Sequence, residues 1–279
     1  MTYKTVLVHV DESERSALRT RFAAEIAKAE DAHLIGTAVT GVSRFIYQDG
    51  NISANDPNLT IHLNFLRERA EKAISNFNTI VDRIGIQSFE SVIANDEAGG
   101  GIGLQARYSD LVIIGQTNPD EPSPSVLPDF PEYIVMNSGR PALIIPYAGD
   151  FHSIGKRPLI SWDASRESTR AVTDAIPLLK KAELVQVAIF NPKATPDAHG
   201  EQPGGDIAVY LARHGIQVEV SVHKTSTDIG NALLSLSHDL DSDMIVMGGY
   251  GHSRFREMIM GGVTRTILES MTVPVLMSH

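Results

Sequence analysis

Short aliphatic runs recur along this chain at matched spacings, and that repetition constrains the fold more than any other feature. Residues 4–11 (KTVLVHVD) form an apolar run ending at Asp11, followed by Ser13 and a helical pattern to about Glu30. Residues 157–163 (RPLISWD) do the same, ending at Asp163, followed by Ser165 and a helical pattern to about Lys181. Further on, SDLVIIG (109–115) matches SDMIVMG (242–248), and RPALIIP (140–146) matches VPVLMSH (273–279). The first pair lies 152 residues apart and the other two 133, and the polar stretch 43–61 in the first half accounts for the difference. A chain that repeats itself in this way is two copies of one plan, one of them carrying an insertion.

Each half alternates strands and helices. The apolar runs predict strands near 5–10, 33–40, 88–94, 110–115 and 141–146, then near 158–162, 184–190, 216–222, 243–248 and 273–277. Helical periodicity falls near 14–29, 62–84, 98–108 and 130–136, then near 166–181, 205–214, 228–239 and 258–270. Aliphatic runs without apolar–polar alternation suit strands covered by helices on both faces. The expected class is therefore α/β, with two doubly wound open sheets, mostly parallel and five strands each, in tandem. Periodicity stops around 148–156, which reads as the linker. Ser13 and Ser165 are expected to cap the helices that follow them.

In such sheets ligands sit at the carboxyl ends of central strands, which directs attention to 243–264, DMIVMGGYGHSRFREMIMGGVT. An apolar run stops at Gly248-Gly249-Tyr250-Gly251, a basic stretch with His252, Arg254 and Arg256 follows, and Gly261-Gly262-Val263-Thr264 opens a helix. Glycine lets backbone N–H groups close around an anion, and a helix start adds free donors and a positive dipole end. Asp163 ends the first strand of the same half and would face this loop, reading a sugar or base edge or helping to hold a cation. It reads equally as a cap for the next helix. Trp162, the single tryptophan, reads as core packing.

The first half departs at the corresponding place. Gly115 is followed by Gln116-Thr117-Asn118-Pro119, with Pro122, Pro124, Pro128 and Pro131 beyond it. Proline has no N–H to give an anion. Asp11 survives, but this half is expected to have lost the site, its altered loop serving packing or another ligand.

Other chemistries find no motif. The loose G-x-G-x-x-A at 101–106 lies in mid-half, and neither a G-x-x-x-x-G-K-[ST] loop nor a G-x-S-x-G elbow occurs. The ten histidines show no H-E-x-x-H, so no metal site is expected. A net charge of −10 argues against a nucleic-acid surface, and no apolar run reaches membrane-spanning length. Without cysteines or a signal-peptide pattern, a cytoplasmic location is expected.

With these residues in place, the chain resembles a tandem universal stress protein, over 1–147 and 157–279. The family's motif G-x2-G-x9-G-[ST] is matched by Gly248-x2-Gly251-x9-Gly261, and departs from it where Gly262 replaces the hydroxyl residue. The resemblance implies two domains, 1–150 with a degenerate nucleotide motif and 151–279 with a near-complete one. It implies ATP or another adenine nucleotide as ligand, with Mg2+ as a companion. Asp163 would contact the adenine or ribose, Ile189 would lie against the adenine, and Gly248, Gly251, Gly261, Gly262, Val263 and Thr264 would surround ribose and phosphates, with Arg254 beside them. It also implies that the final strands, 141–146 and 273–277, meet in an intramolecular pseudo-dimer; a homodimer is compatible with this. The expected function is a cytoplasmic stress-response sensor or regulator. The alternatives are a protein-interaction module without nucleotide, and a slow ATPase for which no motif supplies a base.

Overall fold

A computed structural model describes residues 2–42, 57–192, 202–251 and 262–279. Most of the 43–61 insertion lies outside this set. Contacts divide the chain after Arg140 into two compact units, Thr2–Arg140 and Pro141–His279.

The first unit contains strands β1 (Thr5–His9), β2 (His33–Val39), β3 (Phe89–Ala94) and β4 (Leu111–Gly115). Its helices are α1 (Ser16–Glu30), α2 (Pro57–Ile84), α3 (Ala98–Ala106) and α4 (Phe130–Asn137). The strands run parallel in the order β3-β2-β1-β4. The second unit contains β5 (Ala142–Ile145), β6 (Pro158–Ser161), β7 (Val185–Phe190), β8 (Val218–His223), β9 (Met244–Gly248) and β10 (Val275–Ser278). Its described helices are α5 (Arg166–Leu179), α6 (Gly205–Arg213), α7 (Ile229–Asp239) and α8 (Gly262–Ser270). The strand order is β5-β10-β9-β6-β7-β8, parallel throughout except that β5 runs antiparallel to β10.

The α/β class and the mostly parallel sheets are as expected, but the compact units hold four and six strands rather than five each. The fifth strand of the first repeat leaves its own copy and pairs with the last strand of the second, Ile144 opposite Val275 and Ala142 opposite Met277. Pro141 and Pro274 stand just ahead of these strands, where a missing N–H interrupts no ladder.

The aliphatic runs are buried on both faces. Val6, Leu7 and Val8 in β1, Leu111–Ile114 in β4 and Met244–Val246 in β9 are fully inaccessible. The repeated SD preceding β4 and β9 has a structural reason. Asp110 Oδ2 accepts from the backbone N–H of Lys4 (2.7 Å) and Thr5 (3.0 Å). Asp243 accepts from those of Lys156 and Arg157, both at 2.9 Å, and from Ser153 Oγ at 2.9 Å. Each aspartate thus ties the start of its repeat's first strand to the fourth, satisfying donors that no neighbouring strand reaches.

In each unit the chain winds one way from β1 to β3, or from β6 to β8, and then crosses to the other side of the first strand. The crevice between the carboxyl ends of β1 and β4, or β6 and β9, is the switch point at which open parallel sheets bind ligands.

Candidate functional site

At the second unit's switch point a cleft of about 440 Å³ opens between the ends of β6, β7 and β9 and the start of α8. That is enough for a small organic molecule. After β6 the chain passes through Trp162 and Asp163 to Ala164, which takes the left-handed conformation at φ +59°. A non-glycine residue there is uncommon and bends the strand end sharply. The turn is held by Asp163 Oδ1, which accepts from Ser165 N at 3.0 Å. The cap of α5 is Ser165 itself, whose Oγ accepts from Ser168 N at 3.1 Å. Asp163 therefore shapes the turn and remains exposed at the cleft mouth.

The glycine segment forms the facing wall. A Cβ on Gly248 would stand 2.6 Å from Ser168 N and 2.7 Å from Glu167 C, so β9 ends in direct contact with the backbone of the α5 N-terminus. Gly249 N donates to Ser278 O at 2.8 Å, fastening the loop to β10. Tyr250 turns back at φ +58°, and its N–H donates to Thr264 Oγ1 at 3.1 Å. Gly251 follows, at the edge of the cleft. The nearest neighbour of a Cβ there would be Glu167 Oε2 at 3.2 Å, the end of a flexible side chain. At Gly262, the first residue of α8, the nearest atom to a Cβ among the described residues would be Asp228 Oδ2 at 3.9 Å.

Asp163, Gly248, Gly251, Gly262, Val263 and Thr264 accordingly line one cleft. Thr264 is nearly inaccessible, and its hydroxyl accepts the Tyr250 N–H, which leaves it one proton to donate. Ile189 is not brought to the wall. Its side chain is fully buried, and a Cβ at Gly204 would lie 2.8 Å from its Cδ1. The strand end presents Phe190 and Asn191 to the cleft instead. Arg254 and Gly261, with His252, lie outside the described residues.

Sequence reasoning overlooked part of the wall. Trp162, expected in the core, is half-buried and lines the cleft, as do Ser165, Glu167 and Ile229. Asn191 adopts φ +49° and locks the β7 end to the loop after β8: Thr225 N donates to its Oδ1 at 3.0 Å, and its Nδ2 donates to Thr225 O at 2.9 Å. The rule that placed Asp163 at a strand's carboxyl end, applied to β7, points to Phe190 and Asn191 as well.

The first unit closes the equivalent place from within. Arg19 of α1, almost wholly buried, donates through Nε to His9 O at 2.7 Å and through Nη2 to Asp11 Oδ1 at 2.9 Å. A Cβ on Gly115 would meet Arg19 Nη1 at 2.6 Å, so the guanidinium occupies the space beside the strand end. Burial alone would raise the Asp11 carboxyl, but Arg19, His9 and Ser13 together hold it well below the usual carboxylate range. Burial lowers the His9 imidazole to about 4, against the pull of Asp11 and with Arg19 adding to the decrease. Ser13 donates to Asp11 Oδ1 from its backbone and its hydroxyl. It therefore does not cap α1, which begins after Arg15 without a side-chain cap; the claim of Asp11 on the serine overrides the expected role.

The proline segment packs on its own unit. A Cβ on Gly41 would run into the Ser125 backbone, and Glu121 Oε1 accepts from Glu14 N at 3.1 Å. What remains is a cavity of about 70 Å³.

Residues 156–279 match the model of the universal stress protein family. A universal stress protein of Synechocystis sp. is 25% identical over 145 residues, 52% of this chain and 49% of the relative, so the chain spans about half the length of that curated protein. Among solved structures, a universal stress protein from Archaeoglobus fulgidus superposes with a TM-score of 0.71 at 18% identity, covering 98% of this chain and 94% of the other. A functionally unknown protein from Pseudomonas aeruginosa superposes at 0.59 with 15% identity, covering 98% and 92%. At such identities these superpositions speak to the fold alone.

Proposed function

Since the chain carries a universal stress protein domain over residues 156–279, we propose that it binds an adenine nucleotide in the cleft of its second unit and acts as a sensor or regulator. The observation that carries this reading is the convergence of Gly248, Gly251 and the Gly262 start of α8 on one cleft of about 440 Å³, with Asp163 at its mouth. The glycine loop and helix start suit phosphate, and Asp163 suits a ribose or base edge. The half-buried Trp162 and Phe190 supply aromatic wall for a base.

The first unit contributes no second site on this reading, because Arg19 already neutralises Asp11 and fills the strand end. Binding is thus one nucleotide per chain, in a protein working in the cytoplasm. Among the described residues, no helix is long and apolar enough to cross a membrane, and no cluster of His, Asp or Glu is suited to a metal. Any Mg2+ would therefore arrive with the nucleotide.

Calorimetric titration with adenosine, AMP and MgATP tests the proposal, with Gly251→Val as control. The added side chain would project into the cleft toward Glu167 Oε2. One site per chain in the wild type, weakened by more than about tenfold in the variant, is the expected result. No binding of any of the three, or equal binding by both proteins, would overturn it.

A further inference from the structure

We propose that His279, which stands outside the cleft, positions the glycine loop for its ligand by gripping the Gly249–Tyr250 peptide; this rests on the nucleotide reading given above. Gly249, Ser278 and His279 are not among the described residues that line the cleft, so an effect of His279 on binding passes through the loop. The imidazole Nδ1 lies 3.1 Å from Gly249 O. A carbonyl only accepts, so Nδ1 carries the proton and donates it. The N–H of the same peptide, that of Tyr250, donates to Thr264 Oγ1 at 3.1 Å. One peptide plane is thus held at both ends, by the residue that follows β10 and by a residue of α8.

That plane needs holding. Tyr250 sits at φ +58°, a left-handed conformation disfavoured for any residue with a side chain. Gly249, without a Cβ, offers little resistance to rotation of the peptide it begins. A rotation that relaxed Tyr250 would redirect Gly251, the next residue, which lines the cleft. His279 is itself anchored to α5. Arg170 Nη1 donates to His279 O at 3.0 Å, and Arg170 Nε lies 3.7 Å from Asp174 Oδ2, which accepts from Ser278 Oγ at 2.8 Å. The backbone of the same helix meets Gly248, so α5 holds the end of β9 directly and the next peptide through His279.

The first repeat supplies an internal comparison. At the repeat offsets, Arg170 and Asp174 correspond to Leu18 and Phe22, and Ser278 and His279 to Ile145 and Pro146. None of these four side chains can donate or accept a hydrogen bond, and the repeat that lacks the grip is the one whose strand end is filled by Arg19.

Adenosine and AMP are titrated into the wild-type protein, His279→Ala and His279→Asn, with melting curves recorded alongside. Asparagine places its amide nitrogen where the imidazole has Nδ1, and so restores the donor. His279→Ala is expected to lose about fivefold in AMP affinity, the worth of one hydrogen bond, while its adenosine affinity stays within about twofold. His279→Asn is expected to bind AMP within about twofold of wild type. A residue that only packs would lower the melting temperature and weaken both ligands alike. That result, unchanged AMP binding in His279→Ala, or an asparagine variant as weak as the alanine one overturns the role of His279 and leaves the nucleotide reading standing. Failure of wild type to bind either ligand overturns the nucleotide reading, and this inference with it.

Discussion

Arg19 and Asp11 face each other across the switch point of the first unit, Nη2 to Oδ1 at 2.9 Å, with the arginine side chain 2% exposed and the aspartate 18%. The pair explains how one repeat keeps the strand-end aspartate of the other without an open cleft. In the second repeat the residue at the matching helical position is Ala171, fully buried, which carries no charge to set against Asp163. One substitution of arginine for alanine on the first helix supplies a cation for the aspartate, a donor for the His9 carbonyl and the bulk that fills the space beside Gly115.

Arg19→Ala removes all three at once. It leaves a mostly buried carboxylate without its cation and a cavity beside β4. Breaking a buried pair from one side costs about 3 kcal/mol. The expected result is a urea transition at lower midpoint for the first unit, with ligand binding in the second unit unchanged. A midpoint equal to wild type would mean that Asp11 finds compensation in solvent.

Much of this architecture is legible in the sequence, because strands buried on both faces announce themselves as unbroken aliphatic runs such as LVII at 111–114 and MIVM at 244–247. The repeated SD is visible too, although its purpose appears only when Asp110 is seen binding the Lys4 and Thr5 amides. The departure of β5 to pair with β10 is not written in its own residues: ALII would suit any buried strand, and partner choice is decided by the rest of the chain. The family resemblance, rather than periodicity, anticipates that pairing. Arg19 and Glu167 are hidden for a different reason. A charged residue one or two turns into an amphipathic helix reads as solvated, and only the fold shows that one is buried and the other faces a glycine loop. Ile189, which the resemblance names, is buried in β7, while the next residues, Phe190 and Asn191, line the cleft, because successive residues of a strand face opposite sides.

His9 makes the stability of the first unit depend on pH. Its imidazole titrates at about 4 in the folded state against 6.5 ordinarily. Above pH 6.5 both states hold it neutral. As the pH falls from 6.5 to 4, the unfolded chain takes up a proton that the folded chain refuses, so stability falls with pH, by on the order of 3 kcal/mol across the window. Below about pH 3.8 Asp11 adds its own loss, because its depressed folded value keeps it charged while the unfolded carboxyl protonates. Unfolding free energies at pH 7, 5.5 and 4.5 should show this slope in the wild type and a shallower one in His9→Gln. Parallel slopes would remove His9 as the cause.

Trp162 offers a direct report on the cleft, since it is the single tryptophan of the chain and lines that cavity. An adenine bound against the wall should quench its emission saturably, at the stoichiometry found by calorimetry. Trp162→Phe keeps an aromatic face while abolishing the signal, and binding by calorimetry should weaken only slightly. If calorimetry registers binding while the wild-type emission stays unmoved, the ligand lies elsewhere.

The two glycines at the loop's ends should separate when each is changed to alanine, because they are glycine for different reasons. Neither needs a left-handed φ, so backbone strain does not distinguish them. At Gly248 the methyl would enter the backbone of α5, 2.6 Å from Ser168 N, and neither a strand end nor a capped helix turn can withdraw cheaply. Gly248→Ala is expected to destabilise the second unit by about 2 kcal/mol through overpacking. At Gly251 the methyl meets, among the described residues, side-chain atoms rather than backbone: the end of Glu167, which can rotate away, and Ser165 Oγ at 3.7 Å. Gly251→Ala should therefore melt within about 0.5 kcal/mol of wild type, yet bind phosphate-bearing ligands more weakly than adenosine, because the methyl crowds the approach to the loop. Equal destabilisation by the two changes would show that Gly251, like Gly248, is a packing residue, and would leave the loop without its ligand-facing glycine.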